Sequence, residues 1–423
     1  MQAVHTYLAT LAKALAKHDA TEHTHRPALQ VLMEASASAL EATNEPKAQQ
    51  RENKPDYVIR RHNVVIGYVE AKDVGLDLKR VIKSAQIKRY LEALPNLIVT
   101  NYLDFVWFVE GQETLRISLG DFDGARITPA SDADAQWHAL FTSFCQQVTH
   151  TLSSPNQLAH ALAGQTRLLR DLVMELTASG DADLHGQYDA FKTLLVPELQ
   201  PSEFADMYAQ TATYGLFTAR VFEHSTLLGG GVEKLPAHMR KQAFTLEKAA
   251  YLIPKANPFL REFFQHIANP DLSEQLRWLI EQIANSLHYT HIDKVLVKQS
   301  RKQGFEDPVF HFYETFLAAY DPHLREQRGV YYTPEPVVDY IVRSVDALLI
   351  QHFGRTDGLA DPSTLILDPA TGTATFLRRV IESIHQRITA QGNDGVWPSY
   401  VRERLLPRVF GFELMMAPTP WRT

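Results

Sequence analysis

Residues 365–376 read Leu365-Ile366-Leu367-Asp368-Pro369-Ala370-Thr371-Gly372-Thr373-Ala374-Thr375-Phe376. Three apolar residues form a short strand, Asp368 ends it, small residues turn the chain, and helical spacing resumes at Ala374. A strand–loop–helix of this kind opens a parallel βαβ unit. Its ligand lies over the carboxyl end of the strand, facing backbone N–H groups and the helix N-terminus. The loop holds no Gly-Lys-Ser/Thr, and an aspartate in it repels phosphates, so it is not a phosphate loop. Taken alone, the stretch is also compatible with an ordinary βα turn.

The flanking sequence favours a binding loop. Upstream, Gly329-Val330-Tyr331-Tyr332-Thr333-Pro334-Glu335-Pro336-Val337-Val338 is an aromatic-Thr-Pro entry into a helix. Downstream, Phe410-Gly411-Phe412-Glu413 places a carboxylate at the end of a second strand, where it can accept hydrogen bonds from two ribose hydroxyls. An acidic loop suits a cationic ligand such as S-adenosylmethionine. The pattern predicts a helix over Pro334–Gln351, a strand over Thr364–Leu367, a helix over Ala374–Ala390 and a strand over Val409–Phe412. Two strands make a poor parallel sheet, so the unit at 324–423 is expected to be incomplete.

Further outward the pattern changes. Residues 134–323 are almost wholly helical, with stripes at Leu158–Leu176, Phe204–Phe222, Phe259–Ala268 and Leu272–Leu287, interrupted at Gly229-Gly230-Gly231. This tract reads as a helical connector. Residues 1–133 mix the two periods. A helix carries Val4, Leu8, Leu11 and Leu15, and a second spans Arg26 to Ala42. Strands follow at Tyr57–Ile59, Val64–Glu70, Leu97–Thr100 and Phe105–Val109, with a helix over Leu78–Leu94 between the second and third. The expected fold class is multidomain, α/β at both ends and all-α between them.

Composition removes several classes. The chain of 423 residues is 45% hydrophobic and 22% charged, which is neither disordered nor fibrous. Cys145 is the one cysteine, so a disulfide framework and a multi-cysteine metal cluster are excluded. No apolar run of membrane length and no signal core occur, which predicts a cytoplasmic protein. Net charge is 42 − 49 = −7, spread as +1 over residues 1–110, −6 over 111–300 and −2 over 301–423. Any contact with DNA must therefore use local patches rather than a basic arm.

In the first segment, Pro55-Asp56 is followed across a predicted hairpin by Glu70-Ala71-Lys72. Residues i and i+2 of a strand share a face, so Glu70 and Lys72 project together, and Asp56 starts the adjacent strand. Two carboxylates, Asp56 and Glu70, can hold Mg²⁺ while a lysine orients or deprotonates an attacking water, which is what metal-assisted phosphodiester hydrolysis requires. Gln86, Arg89 and Tyr90 share one face of the following helix. The plainer alternative is three charged residues on the polar face of an edge hairpin.

Residues 15–110 resemble the PD-(D/E)xK nuclease superfamily in the form fused to restriction-modification methyltransferases. Asp56, Glu70 and Lys72 match its triad. Gln86 matches a glutamine of the following helix, and Glu22 resembles an extra acidic residue that some members supply. Asn53-Lys54-Pro55 lacks the glycine common before Pro-Asp. The third segment resembles motifs X, I and II of N6-adenine DNA methyltransferases. The likeness extends through Phe204-Ala205-Asp206-Met207-Tyr208-Ala209-Gln210-Thr211 and Asp307-Pro308-Val309-Phe310-His311-Phe312-Tyr313-Glu314, to the fused type ISP and type IIG-like enzymes.

The resemblance implies an adenine-N6 methyltransferase joined to an Mg²⁺-dependent endonuclease acting on double-stranded DNA. It places S-adenosylmethionine against Thr333, Asp368, Ala370, Gly372 and Glu413. Two departures stand out. Ala374 occupies the position of the family's third loop glycine, and the (Asn/Asp)-Pro-Pro-(Tyr/Phe) loop that holds a flipped adenine does not occur. The sequence after Glu413 also leaves the family pattern. The expectation is a fragment cut within the methyltransferase. The alternatives are a non-catalytic DNA-binding or subunit-interaction remnant, or a half-enzyme completed by a second chain.

Overall fold

The computed structural model describes residues 2–16, 22–44, 54–61, 64–147, 152–194, 197–227, 235–236, 239, 242–253, 258–296, 308–327, 333–372, 374–390, 392 and 394–413. Two helices, α1 (Gln2–Leu15) and α2 (Glu22–Ser36), lead into β1 (Leu40–Asn44), β2 (Tyr57–Arg61) and β3 (Val64–Ala71). Then come α3 (Leu78–Val81), α4 (Ala85–Ala93), β4 (Asn96–Thr100), β5 (Asp104–Val109) and β6 (Gln112–Ser118). These strands form one six-stranded sheet in sequence order. Neighbours run antiparallel except β3 and β4, which are parallel and joined by the α3–α4 crossover.

The central strands are apolar on alternate residues of both faces because both faces are covered. Tyr57, Ile59, Val69, Ile98, Phe105 and Trp107 face a core shared with α1, α2 and α5 (Ala133–Gln146). Cys145 lies in that core on α5, where burial pushes its thiol up to about 11. Val58, Tyr68, Leu97, Val99, Val106 and Phe108 face the opposite way, toward α4 and α6 (Pro155–Ala178). The layers approach closely at two glycines. A Cβ on Gly67 would lie 2.4 Å from the Phe144 ring of α5. One on Gly164 of α6 would lie 2.1 Å from the Glu92 carbonyl oxygen of α4.

A small hairpin, β7 (Gly120–Phe122) and β8 (Ile127–Pro129), precedes α5. After α6 the chain is helical, as the spacing predicts. It runs through α7 (Ala182–Leu194), α8 (Pro201–Leu227), α9 (Leu246–Leu252), α10 (Pro258–Ile267), α11 (Glu274–His288), α12 (Pro308–Tyr320) and α13 (Pro322–Gln327). Gly229-Gly230-Gly231 lie outside the described residues. The helical tract completes the second face of the sheet, so sheet and helices share one continuous core. The Tyr68 hydroxyl of β3, for instance, donates to Gln282 of α11.

Two expectations are corrected, and the structure adds a strand. The second helix ends at Ser36 rather than Ala42: Ala39 takes a left-handed conformation (φ 55°), and Leu40–Asn44 pairs with β2 as a strand. The helix expected over Leu78–Leu94 is two helices, because the Ser84 hydroxyl accepts the Ile87 N–H (3.4 Å) and starts α4 afresh. The added strand is β6, whose beginning, Gln112, Glu113 and Thr114, is polar and exposed, as befits an edge, and carries no apolar alternation.

The C-terminal unit comprises α14 (Glu335–His352), β9 (Ile366–Asp368), α15 (Thr375–Ala390) and β10 (Val409–Gly411). β9 and β10 pair in parallel, with Gly411 opposite Asp368. Val338, Val342, Val380, Ile384 and Ile388 make a separate small core. Beside it, Arg378 pairs with Glu335 (2.9 Å), Arg379 with Asp339, and Arg387 with Asp346 (2.5 Å), tying α15 to α14. No helix among the described residues is long and apolar enough to cross a membrane.

Candidate active sites

At the carboxyl end of β3 the alternation places Tyr68, Glu70 and Lys72 on the face toward α4. The β2–β3 register, Tyr57 opposite Val69, brings Asp56 beside Glu70. The Asp56 N–H donates to Glu70 Oε2 (3.3 Å), and the Ala71 N–H donates to Asp56 Oδ2 (2.8 Å). Lys72 Nζ donates to Glu70 Oε1 (2.6 Å) and to Gln86 Oε1 (2.9 Å). Gln86 Nε2 in turn donates to the Tyr90 hydroxyl one turn along α4 (3.4 Å). The Lys72 N–H reaches the Thr100 carbonyl (2.8 Å), which extends the β3–β4 pairing past the strand end. Asp56, Glu70 and Lys72, expected together from spacing, and Gln86, expected from the resemblance, are joined in one run of hydrogen bonds.

The site is shielded from water: the Glu70 side chain is 3% exposed and that of Lys72 22%. Burial, and then the charge of Glu70, holds the Tyr90 phenol well above its usual range. Arg26 of α2 is the residue that sequence reasoning missed. Its guanidinium donates to Asp56 Oδ1, while its carbonyl accepts from the Tyr57 hydroxyl (2.8 Å). The available signal was its position one helical turn after Glu22, on the same face. The Glu22 side chain lies outside the described residues.

Among the described residues no group of three or more His, Cys, Asp or Glu side chains is placed to hold a metal. Two carboxylates nevertheless fit Mg²⁺, which takes one or two carboxylates with waters and phosphate oxygens as its other ligands.

In the C-terminal unit, Asp368 ends β9 and its Oδ1 accepts the Ala370 N–H (3.2 Å). The Thr371 N–H donates to the Phe412 carbonyl (2.8 Å) and the Phe412 N–H to the Asp368 carbonyl (2.9 Å), fastening the loop to the end of β10. Glu413 Oε2 accepts the Gly372 N–H (2.6 Å). Gly372 (φ 53°) and Ala374 (φ 67°) are both left-handed, a conformation that strains alanine. The structure thus joins Asp368, Ala370, Gly372 and Glu413. Thr333 enters only indirectly, two residues before Glu335, whose carboxylate binds Arg378 in the first turn of α15. Asp368 Oδ2 is buried with no hydrogen-bond partner. An orphaned acceptor beside a helix N-terminus fits a ligand with an ammonium or hydroxyl donor, as S-adenosylmethionine has.

No curated protein matches the chain. Among solved structures it is similar to DrdV in a DrdV–DNA complex, at 22% identity over 99% of this chain and 37% of that one, with TM-score 0.35. It is also similar to a nuclease-deletion mutant of the Type ISP restriction-modification enzyme LlaGI in complex with a DNA substrate mimic, at 17% identity over 66% and 20% of the two chains, TM-score 0.37. A third likeness is to the ATP-dependent Type ISP restriction-modification enzyme LlaBIII bound to DNA, at 19% identity over 68% and 17%, TM-score 0.40. The chain spans at most 37% of the length of these proteins. Residues 305–399, which include α14, the Asp368 loop and α15, match the protein-family model described as N-6 DNA Methylase.

Proposed function

We propose that the chain is a DNA restriction-modification protein. In this reading an Mg²⁺-dependent endonuclease site in the N-terminal sheet is joined, through the helical tract, to part of an S-adenosylmethionine-dependent adenine-N6 methyltransferase. The observation that carries it is the unbroken run of contacts from Ala71 through Asp56, Glu70, Lys72 and Gln86 to Tyr90. Chance placement of charges on an edge hairpin does not explain why each of them is fixed by the next. The N-6 DNA methylase match supports the modification half.

Asp56 and Glu70 would hold Mg²⁺, which when bound supplies charge stabilisation to a phosphodiester and acidifies a ligated water. Lys72, held by Glu70 and Gln86, would orient or deprotonate the attacking water. Gln86 fixes the lysine's direction, and Tyr90 fixes Gln86. In the C-terminal unit Asp368 and Glu413 would accept hydrogen bonds from S-adenosylmethionine, and the cofactor would supply the methyl group.

Plasmid nicking in Mg²⁺ tests the nuclease reading. Lys72→Ala should lower the rate at least 100-fold, a typical loss for one positioned acid–base group. Asp56→Asn should lower it comparably, since a neutral amide is a poorer ligand for a hard cation. Equal rates in wild type and both variants would refute the assignment. One observation favours a second reading, a half-enzyme completed by further polypeptide: Leu365 and Leu367 in and beside β9, and Phe410 and Phe412 in and beside β10, are 45–73% exposed. Strands of a parallel sheet are ordinarily covered on both faces.

A further inference from the structure

Residues 78–91 read Leu78-Lys79-Arg80-Val81-Ile82-Lys83-Ser84-Ala85-Gln86-Ile87-Lys88-Arg89-Tyr90-Leu91: five cations and no carboxylate, in a chain whose net charge is −7. They form the α3–α4 crossover, anchored on its buried side by Leu78, Ile87 and Tyr90. Arg89 turns to Asp171 of α6 (3.8 Å). Lys79, Arg80, Lys83 and Lys88 are exposed, and among the described residues none of their side chains meets a carboxylate. Arginines elsewhere behave differently: Arg116, Arg167, Arg378 and Arg387 each lie 2.5–3.0 Å from an acidic partner. Asp77, just before the tract, gives its carboxylate to the Lys79 N–H as the cap of α3 (2.8 Å). Cations this close along a helical path repel one another, a cost to the fold that an anionic partner removes. The tract also adjoins the candidate nuclease site, since Gln86 within it accepts from Lys72 Nζ (2.9 Å).

Building on the proposed nuclease reading, we infer that Lys79, Arg80, Lys83 and Lys88 receive backbone phosphates of duplex DNA and lead the duplex to the site at Asp56, Glu70 and Lys72. Each cation that meets a phosphate releases a condensed counterion, so the tract supplies affinity without sequence preference. Contacts of this kind, made equally before and during reaction, act on KM rather than on kcat.

The test is fluorescence anisotropy of a labelled duplex with the full chain in EDTA, repeated over a range of KCl concentrations. Binding is then read without metal or turnover. Each phosphate contact contributes about 0.9 to the slope of log K against log salt, and so about eightfold in affinity at about 0.1 M salt. With Lys79, Arg80, Lys83 and Lys88 all changed to Gln, the slope should become shallower by about 3–4 and the affinity should fall by about 100-fold or more. Exchanging Lys for Arg and Arg for Lys at the same positions should keep the wild-type slope. An unchanged slope in the Gln variant, or a wild type that does not bind duplex, would overturn the tract. So would tighter binding of poly-glutamate than of duplex at equal salt, which gives the surface to an acidic protein. Should the fourfold variant fail to fold, the single Gln variants decide, each expected to lose about one unit of slope; four unchanged slopes would overturn the tract. Plasmid nicking in Mg²⁺ keeps the two layers apart, and the Gln variant should raise KM more than it lowers kcat. Loss of slope beside a wild type that never nicks would sink the nuclease reading and leave the tract as a DNA-binding surface. Nicking by wild type beside an unchanged slope would sink the tract alone.

Discussion

Ala374 is held where an L-residue is strained, at φ 67° in the turn from the Asp368 loop into α15. Left-handed backbone costs an alanine about 1–2 kcal/mol that glycine avoids. Ala374→Gly should therefore stabilise the C-terminal unit by about 1 kcal/mol, since glycine's extra unfolded-state entropy offsets part of the relief. It should also tighten S-adenosylmethionine binding, because the loop N–H groups no longer carry the strain. Thermal melting and calorimetry of the variant check both outcomes, and a lower melting temperature would contradict them. At this scale the sequence was highly legible for charged residues. Asp56, Glu70, Lys72 and Gln86 meet because strand alternation and helical spacing are fixed by backbone geometry. Arg26 was legible only in part: its place one turn after Glu22 marks the face of α2, but its reach to Asp56 depends on how α2 packs on the sheet.

Among the elements, α4 and α6 meet with little room between them. Gly164→Ala would drive a methyl group against the Glu92 carbonyl, 2.1 Å away, and backbone cannot give as a flexible side chain does. The expected loss is about 1–3 kcal/mol, typical of overpacking. Because α4 carries Gln86 and Tyr90, displacement should also slow nicking. Urea unfolding and the plasmid assay measure the two effects, and an unaltered midpoint would show that the helices part freely. Long periodic helices such as α6 and α8 were plain in the sequence. Shorter features were not. β1 hides behind a run of alanines and serines with helical propensity, and the break before α4 rests on one serine cap. Register decides such features, and register is a tertiary property.

For the molecule as a whole, the buried His25 and the half-buried His266 and His288 contribute to the response to acid. Burial lowers His25, His266 and His288 below the ordinary 6.5. The unfolded chain therefore binds protons near pH 6.5 that the native state refuses. Their stabilisation is complete above pH 6.5 and is lost as pH falls through the lowered native values. Asp206 and Glu281, raised by burial from 3.8 and 4.5, act with the opposite sign. Substituting the histidines isolates their share: His266→Gln should flatten the decline in urea midpoint between pH 7.5 and 5.5. A slope as steep as that of wild type would remove His266 from the account.

Changes in periodicity divide the chain into three segments at residues 133 and 323, and periodicity reports what an element is rather than what it touches. The continuous core between sheet and helical tract bears on how the protein can be taken apart. A piece ending near residue 133 would present Val58, Leu97, Val99, Val106 and Phe108 to water, and would be expected to precipitate when expressed by itself. The stretch between α13 and α14, where one core ends and another begins, is the natural place to part the chain.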